Sequence, residues 1–375
     1  MADVDVSYQG PSDPARVTQA LATWLNERWP GATAIAIHDL ITPHATGYSN
    51  ETVMFRASWR EGGRSRDGRY VLRMEPKRPP LFPPQTSVPR ASVEVQYRAM
   101  KAVAECSDVP LAPLVGYEPS RECLGAAFFV MGYVEGQVPA DVPLYTQAGF
   151  LVEEATPAQR RRVVESGLEA LARLHRIDWR DADLGWLVPQ GHTPGLRWQV
   201  DLHCDYVRAQ LRGRAHPILQ QSLEWLRGHF PGEGELGISW GDARIGNMIF
   251  SNFECAAITD WEAVALGPPQ MDLGWWLMFD HYAHESSGTE RLEGMPTRDE
   301  QKTYYSSLTG RHVGDTHYFE VLAAMRFTAV MIPNGDRFTA DGRVPPEMNL
   351  AIHNPATQVL ADLLQIPYRW TDPSR

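Results

Sequence analysis

The sequence predicts an α+β protein with two lobes, a small β-rich N-terminal lobe and a larger α-helical C-terminal lobe. Two observations predict this class. Strand-like patterns dominate the first part of the 375-residue chain, and helical periodicity dominates the rest. We expect the N-terminal lobe over residues 1–135 and the C-terminal lobe over 136–375. A hydrophobic content of 43% is sufficient for a substantial core.

The N-terminal lobe is predicted from periodic and alternating apolar residues. Val17, Leu21 and Leu25 recur at helical spacing, and the segment RYVLRM has the apolar pattern of a strand. Glycines and charges between two strand patterns predict a hairpin turn, and prolines over 75–90 exclude a helix or a central strand there. The predicted elements are a helix over 14–29, strands over 51–59, 69–74 and 126–134, and a helix over 91–105.

The C-terminal lobe is predicted to be helical, with one inserted hairpin. Residues 248–250 and 256–259 have strand-like composition, and a short polar turn separates them. This hairpin is of interest because polar residues flank it on both sides. The predicted helices cover 157–175, 198–229, 270–284, 297–308 and 315–332.

The polar residues around this hairpin predict a reaction site. Asn247 immediately precedes the first strand and Asp260 immediately follows the second, so an antiparallel hairpin brings them together. Their amide and carboxylate oxygens suit Mg²⁺ when substrate phosphates complete the shell. Asp242 could accept a proton from a substrate hydroxyl, and Arg244 could balance charge on a transferring phosphoryl group. Singly, these residue types are also typical of turns and helix caps, but their joint spacing favours phosphoryl transfer.

Charge and cysteine content narrow the class of protein. The net charge is −11, which disfavours nucleic acid as a partner. The four cysteines have no metal-ligand spacing, which favours free thiols in a reducing compartment. The N-terminal segment lacks a signal-peptide pattern, and no apolar run is long enough to span a bilayer. We therefore expect a cytoplasmic protein without a membrane partner, and the sequence does not indicate an oligomeric state.

The polar loop and its hairpin resemble the signature of a known family. The segments WGDARIGNMIF and ITDWEAVALGPPQMDLGWW are similar to the signature of aminoglycoside phosphotransferase-like kinases. That signature is H-G-D-x-x-x-x-N, followed along the chain by D-W-E and then by a further Asp. They resemble the bacterial branch related to the kinase-like domain fused to acyl-CoA dehydrogenases, which includes mycobacterial members. The resemblance implies the two-lobed protein-kinase-like fold. Asp272 matches the last Asp of the pattern, and we expect it to anchor the loop rather than to react.

The resemblance also implies nucleotide-binding positions in the N-terminal lobe. Arg73 occupies the place of the phosphate-binding Lys, and Glu94 on the following helix would pair with it. A guanidinium is a competent phosphate ligand, although its geometry differs from that of an ammonium. The other implied positions are phosphate donors in the covering loop (Gly47, Ser49 and Asn50) and groups placed against adenine (Val71, Met131, Tyr133 and Val134).

These features predict an ATP-dependent phosphotransferase that moves the γ-phosphoryl group to a hydroxyl of a small molecule. The implied cofactors are ATP and Mg²⁺, with Asp242 and Arg244 as catalytic residues and Asn247 and Asp260 as metal ligands. The acceptor would be an aminoglycoside-like or hydroxyacyl compound. Trp240 stands where the family has His, and together with Arg73 it keeps open an alternative. That alternative is a nucleotide-binding pseudokinase or regulatory module without phosphoryl transfer.

Overall fold

The computed structural model describes residues 14–42, 51–86 and 91–370. The chain divides into two compact units. The first contains a five-stranded sheet and the second contains most of the helices. The first unit comprises Met1–Pro80, Pro89–Lys101 and Leu111–Val134, and the second comprises Leu81–Val88, Ala102–Pro110 and Glu135–Arg375.

The first unit is an antiparallel sheet with helices packed around it. The strand order is β1-β2-β3-β5-β4, and each neighbouring pair is antiparallel. Leu21 and Leu25 of the first helix are fully buried, and they lie in one apolar cluster with Phe55 and Leu72 of the sheet. The elements are α1 (Pro14–Arg28), β1 (Ala32–Ile41), β2 (Glu51–Glu61), β3 (Arg64–Met74), α2 (Ser92–Cys106), β4 (Leu114–Glu118) and β5 (Phe128–Gly132).

The sequence pattern does not predict β1 or β4. Strand β1 has irregular register with β2, and its residues Ala34 and Asp39 have positive φ angles of 52° and 53°. These irregularities interrupt the alternation of buried and exposed residues that identifies a strand. The five-residue β4 is too short to show a clear period.

The second unit is mainly helical, with two small two-stranded sheets. Its main core is formed by side chains from the helices over 196–211, 217–228, 270–281, 317–340 and 355–363. Short strands pair as β6 with β9 and as β7 with β8, both antiparallel. The elements are α3 (Phe150–Glu153), α4 (Pro157–Leu174), α5 (Leu196–Leu211), α6 (Pro217–Gly228), β6 (Gly237–Ser239), β7 (Met248–Ser251), β8 (Glu254–Ile258), β9 (Ala265–Gly267), α7 (Gln270–His281), α8 (Arg298–Thr309), α9 (His317–Ala340) and α10 (Pro355–Leu363).

Helix α7 is the central helix of this unit. All residues over 271–278 are buried, which is the pattern of a helix surrounded by protein on every side. It packs against α9 at Gly274, where an added Cβ would lie 2.5 Å from the backbone of Phe319. A side chain at this position would therefore push the two helices apart. This contact fixes α7, whose first turn carries Asp272.

Two predicted helix boundaries are wrong. The helix expected over 198–229 is two helices, because Arg212 is left-handed with φ of 49° and Pro217 starts a new helix at its first turn. The helix expected to end at 332 continues to Ala340 through Pro333. Tertiary packing therefore overrides the usual effect of proline in a helix here. None of the described helices has both the length and the apolar character needed to cross a bilayer.

Candidate active site

The hairpin of β7 and β8 brings Asn247 next to the residues that follow β8. Met248 pairs with Ile258, so the register aligns Asn247 with Thr259. The backbone N–H and the hydroxyl of Thr259 donate to the carbonyl oxygen of Asn247, at 2.9 and 2.8 Å. Asp260 is the next residue in the chain. The predicted proximity of Asn247 to the Asp260 segment is therefore present in the structure.

Asp242 lies at the centre of a polar cluster. Its Oδ1 accepts hydrogen bonds from the indole N–H of Trp275 at 2.8 Å and from Nε of Arg244 at 3.1 Å. Burial raises the pKa of Asp242, the charge of Arg244 opposes this effect, and the charge of Asp260 adds to it. The net result is a raised pKa. A carboxylate with a raised pKa is better suited to accept a proton near neutral pH.

Asn247 contacts Asp242, and the charge of Asp260 acts on the Asp242 carboxylate. The Nδ2 of Asn247 donates to the carbonyl oxygen of Asp242 at 3.1 Å. This hydrogen bond distinguishes the nitrogen of the amide from its oxygen, Oδ1, which does not take part in it. Asp260 has a positive φ of 55°, a conformation that is costly for a residue with a side chain. Such strain often occurs at functional sites, where the surrounding structure holds the residue in place. The donor set of one amide oxygen and one carboxylate fits a Mg²⁺ ion.

Asp272 anchors the loop that precedes Asp242. Its fully buried carboxylate accepts the backbone N–H of Trp240 at 2.6 Å and that of Gly241 at 2.8 Å. It also accepts the hydroxyl of Ser239 at 2.7 Å and lies 3.0 Å from Nε2 of His175. One buried carboxylate therefore fixes three consecutive residues of the loop. This arrangement agrees with the anchoring role expected from the sequence.

Trp240 and Gly241 link this loop to the Asp260 segment. The indole of Trp240 is fully buried, and its N–H donates to the carbonyl oxygens of Thr259 at 2.8 Å and Asp260 at 3.2 Å. Gly241 has φ of 89°, and an added Cβ would lie 2.1 Å from the carbonyl oxygen of Ala263. No other residue fits there without moving the backbone. The tight turn at Gly241 therefore places Asp242 directly after the anchored residues.

Arg244 is held by two carboxylates. Its Nη1 lies 2.5 Å from Oδ1 of Asp141, and its Nε contacts Asp242 as described above. The guanidinium also lies over the ring of Phe279, 5.1 Å from the centroid. An added Cβ at Gly246 would meet both Arg244 and Asp141, so the ion pair passes directly over that glycine. Arg244 is thus fixed close to Asp242.

Four of the predicted nucleotide positions of the first unit lie on the sheet and on α2: Val71, Arg73, Met131 and Glu94. Arg73 of β3 donates to Oε1 of Gln96 at 3.3 Å, whereas Glu94 lies 3.5 Å from Arg98. The Arg73–Glu94 pair stays a prediction, and Gln96 is a neighbour that sequence reasoning misses. Strand pairing aligns Val71 with Met131.

The remaining predicted positions follow β5 or fall outside the described residues. The N–H of Tyr133 donates to the carbonyl oxygen of Arg69 at 2.9 Å, and the Arg69 guanidinium lies 3.7 Å from the Tyr133 ring centroid. Val134 ends the unit. The covering-loop positions Gly47, Ser49 and Asn50 lie outside the described residues.

Three residues near Asp242 are missed by sequence reasoning. They are Asp141, Trp275 and Arg326, and each comes from an element distant in the chain. Only Arg326 has a sequence signal, because it is a single cation within the apolar segment VLAAMRFTAVM. A charge in such a helix must be paired or hydrogen-bonded.

Comparison with known proteins identifies the family. Residues 40–304 match the profile of the phosphotransferase enzyme family, APH, and the chain belongs to this family. It is 24% identical over 351 residues to acyl-CoA dehydrogenase family member 11 of Pongo abelii, covering 87% of this chain. The chain spans only 41% of the length of that relative.

Solved structures show the same fold. A protein of Ralstonia eutropha, provisionally assigned as an aminoglycoside phosphotransferase, is similar with a TM-score of 0.67 and 22% identity, covering 94% of this chain and 99% of that one. A thermostable mutant of aminoglycoside phosphotransferase APH(4)-Ia, in ternary complex with AMP-PNP and hygromycin B, is similar with a TM-score of 0.55 and 14% identity, covering 92% and 98%. The fold is the protein-kinase-like fold of aminoglycoside phosphotransferases, as predicted.

Two buried histidines of the second unit predict a loss of stability in mild acid. Burial lowers the pKa of His203 to about 3 and that of His216 to about 4. In the unfolded chain both groups bind a proton near pH 6.5, so below that pH the unfolded state binds more protons. As the pH falls below that value, each group should reduce the free energy of unfolding by about 1.4 kcal/mol for each pH unit of acidification.

This expectation can be checked by urea unfolding between about pH 7 and about pH 5. His203→Gln keeps a side chain that can accept a hydrogen bond but cannot titrate. We expect the pH dependence of its unfolding free energy to be smaller than that of the wild type. Equal dependence in both proteins would contradict the neutral state of His203.

Proposed function

We propose that the protein is a small-molecule O-kinase that transfers the γ-phosphoryl group of ATP to a hydroxyl group. Family membership supports the reaction class. The observation that carries the proposal is the mostly buried Asp242 carboxylate, which has a raised pKa and lies beside Asn247 and Arg244. A carboxylate in this position can accept the proton that the acceptor hydroxyl loses during transfer.

In this mechanism Asp242 receives the proton of the acceptor hydroxyl. The hydroxyl oxygen forms a bond to the γ-phosphorus as the bond to the leaving ADP oxygen breaks. Trp275 and Arg244 donate to the same carboxylate oxygen, Oδ1, so they fix the orientation of the carboxylate. Arg244 also places positive charge near the transferring phosphoryl group.

Asn247 and Asp260 would hold Mg²⁺ through Oδ1 and a carboxylate oxygen. The ion would supply neutralising charge to the phosphate oxygens of the nucleotide. Asn247 is suited to this role because its Nδ2 is used by the carbonyl of Asp242, which directs the amide oxygen elsewhere. The Trp240 indole fixes the backbone of Asp260 through its carbonyl oxygen.

In the first unit, Arg73 would contact phosphate, with Glu94 as its predicted partner. Val71, Met131, Tyr133 and Val134 would contact the base, and Gly47, Ser49 and Asn50 would cover the phosphates. The AMP-PNP complex of APH(4)-Ia supports nucleotide use within this fold. The cytoplasmic location and the lack of a nucleic-acid or membrane partner stay predictions from composition.

The acceptor is proposed as an aminoglycoside-like or hydroxyacyl compound. Hygromycin B in the APH(4)-Ia complex supports the first class, and the acyl-CoA dehydrogenase relative supports the second. A screen would measure ADP release with Mg²⁺-ATP and a panel of aminoglycosides, hydroxy acids and hydroxyacyl thioesters. Acceptor-dependent release that is lost in Asp260→Ala supports the proposal, and equal release by that variant contradicts it.

The alternative is a pseudokinase, and it depends on Trp240 replacing the family His. The structure shows hydrogen bonds from the Trp240 indole to the Asp260 segment, so this replacement keeps the loop connected to that segment. Binding of Mg²⁺-ATP without transfer to any acceptor in the panel would favour the pseudokinase.

Trp240→Phe tests this connection. The variant keeps an aromatic ring in the buried space but removes the N–H donor to Thr259 and Asp260. We expect a loss of about 1–3 kcal/mol in unfolding free energy and a lower kcat. Trp240→His restores a ring N–H and should retain more activity than the Phe variant. Equal kcat in the Phe variant and the wild type would contradict the role of the indole.

A further inference from the structure

Arg326 of α9 is a cation buried within the second unit. Its residue exposure is 3%, and in the described ranges 14–42, 51–86 and 91–370 it forms no ion pair. Burial lowers the pKa of Arg326 to about 10. A buried guanidinium is costly unless its N–H groups are used. The groups that the Arg326 guanidinium contacts therefore indicate the role of this residue.

The guanidinium of Arg326 makes three contacts. Nε donates to Nε2 of His203 at 3.1 Å, and Nη2 donates to the carbonyl oxygen of Gly241 at 3.0 Å. The guanidinium also lies over the ring of Trp275, 4.7 Å from the centroid. His203 is a suitable acceptor because its Nδ1 lies 2.7 Å from the carbonyl oxygen of Gln199, which places the proton on Nδ1.

Two of these contacts adjoin Asp242 directly. The Gly241 carbonyl belongs to the peptide group that joins Gly241 to Asp242, and the Trp275 indole donates to the Asp242 carboxylate. Asp272 holds the N–H groups of the preceding residues, and Asn247 holds the carbonyl of Asp242 itself. Arg326 thus holds the one peptide group between these two anchors.

We propose that Arg326 is a positioning residue for Asp242. It fixes the peptide group before Asp242 and the ring of Trp275, so that the Asp242 carboxylate is oriented for the acceptor hydroxyl. This inference rests on the proposed function, because the orientation matters only if Asp242 takes part in transfer. Arg326 itself is not expected to touch substrate.

The test compares Arg326→Gln and Arg326→Lys with a control variant, Arg214→Gln. Arg214 also contacts α9, through its ion pair with Asp336, and its other hydrogen bonds among the described residues go to the carbonyl oxygens of Gln210 and Leu211 rather than to the loop around Asp242. We expect Arg326→Gln to lower kcat by about 10²-fold with KM for ATP within about two-fold, because misplacement of a catalytic group affects the chemical step. The Lys variant should recover part of the rate, and Arg214→Gln should keep the wild-type kcat.

A second readout does not depend on activity. The indole N–H resonance of Trp275, assigned by its loss in Trp275→Phe, should move in Arg326→Gln and stay in place in Arg214→Gln. Wild-type kcat in the Gln variant, or an unmoved Trp275 resonance, overturns the proposal. If the Gln variant does not fold, the Lys variant must show a kcat below that of the wild type and a moved Trp275 resonance. Loss of folding in both also overturns it, because the role would then be structural.

The two proposals can fail separately. If the folded wild type transfers no phosphoryl group to any acceptor, the proposed function fails. The Trp275 resonance in the Arg326 variants still decides whether the guanidinium holds this part of the loop.

Discussion

Replacement of Asp242 with Asn is expected to lower kcat by about 10²–10⁴-fold while leaving the protein folded. Asn has the same shape and keeps an oxygen that can accept the hydrogen bonds of Trp275 and Arg244. It cannot take the proton of an acceptor hydroxyl. The loss should therefore fall on kcat, with little change in KM for ATP.

The measurement is steady-state ADP release with the acceptor identified by screening. Asp336→Asn is a matched control, because Asp336 is a partly exposed carboxylate that pairs with Arg214. The control should keep the wild-type kcat. An Asp242→Asn variant with at least half of the wild-type kcat would show that another group accepts the proton.

Replacement of Asp272 with Asn is expected to cause the largest loss of stability, about 3 kcal/mol in the free energy of unfolding. The carboxylate accepts from the N–H groups of Trp240 and Gly241 and from the hydroxyl of Ser239, and His175 contacts it as well. The amide of Asn would turn an NH₂ group toward at least one of these donors. Because the site is fully buried, water cannot replace the lost hydrogen bond.

Urea unfolding monitored by circular dichroism would measure this loss. Ser239→Ala is the control, since it removes a single donor and leaves the two backbone N–H groups paired. We expect a loss of about 1 kcal/mol for that variant. An Asp272→Asn variant within 1 kcal/mol of the wild type would mean that the loop does not depend on this carboxylate.

The centre of the site could be predicted from the sequence because it is local. Asn247 and Asp260 flank one hairpin, in which Met248 pairs with Ile258. Asp242 belongs to the same loop. Hairpin geometry alone is enough to relate these residues.

The surroundings of the site could not be predicted in this way. Asp141, Trp275 and Arg326 reach the loop from a connecting segment, from α7 and from α9. Their proximity depends on how the helices pack, and no short-range pattern encodes that packing. Gln96 beside Arg73 is a similar case, because the choice among residues on one face of α2 depends on the packing of the helix on the sheet.

The role of Trp240 illustrates the same difference. The sequence shows a departure from the family pattern at this position and leaves activity open. The structure shows that the indole N–H connects the loop before Asp242 to the backbone of Asp260. The residue that departs from the family pattern therefore connects these two segments in this chain.

The most direct measurement follows the γ-phosphate of labelled ATP in the presence of Mg²⁺ and the acceptor panel. Phosphoryl transfer to a hydroxyl acceptor by the wild type, with loss of transfer but retained ATP binding in Asp242→Asn, is the predicted result. ATP binding by the wild type without transfer to any acceptor, or transfer by Asp242→Asn at the wild-type rate, would contradict the central claim.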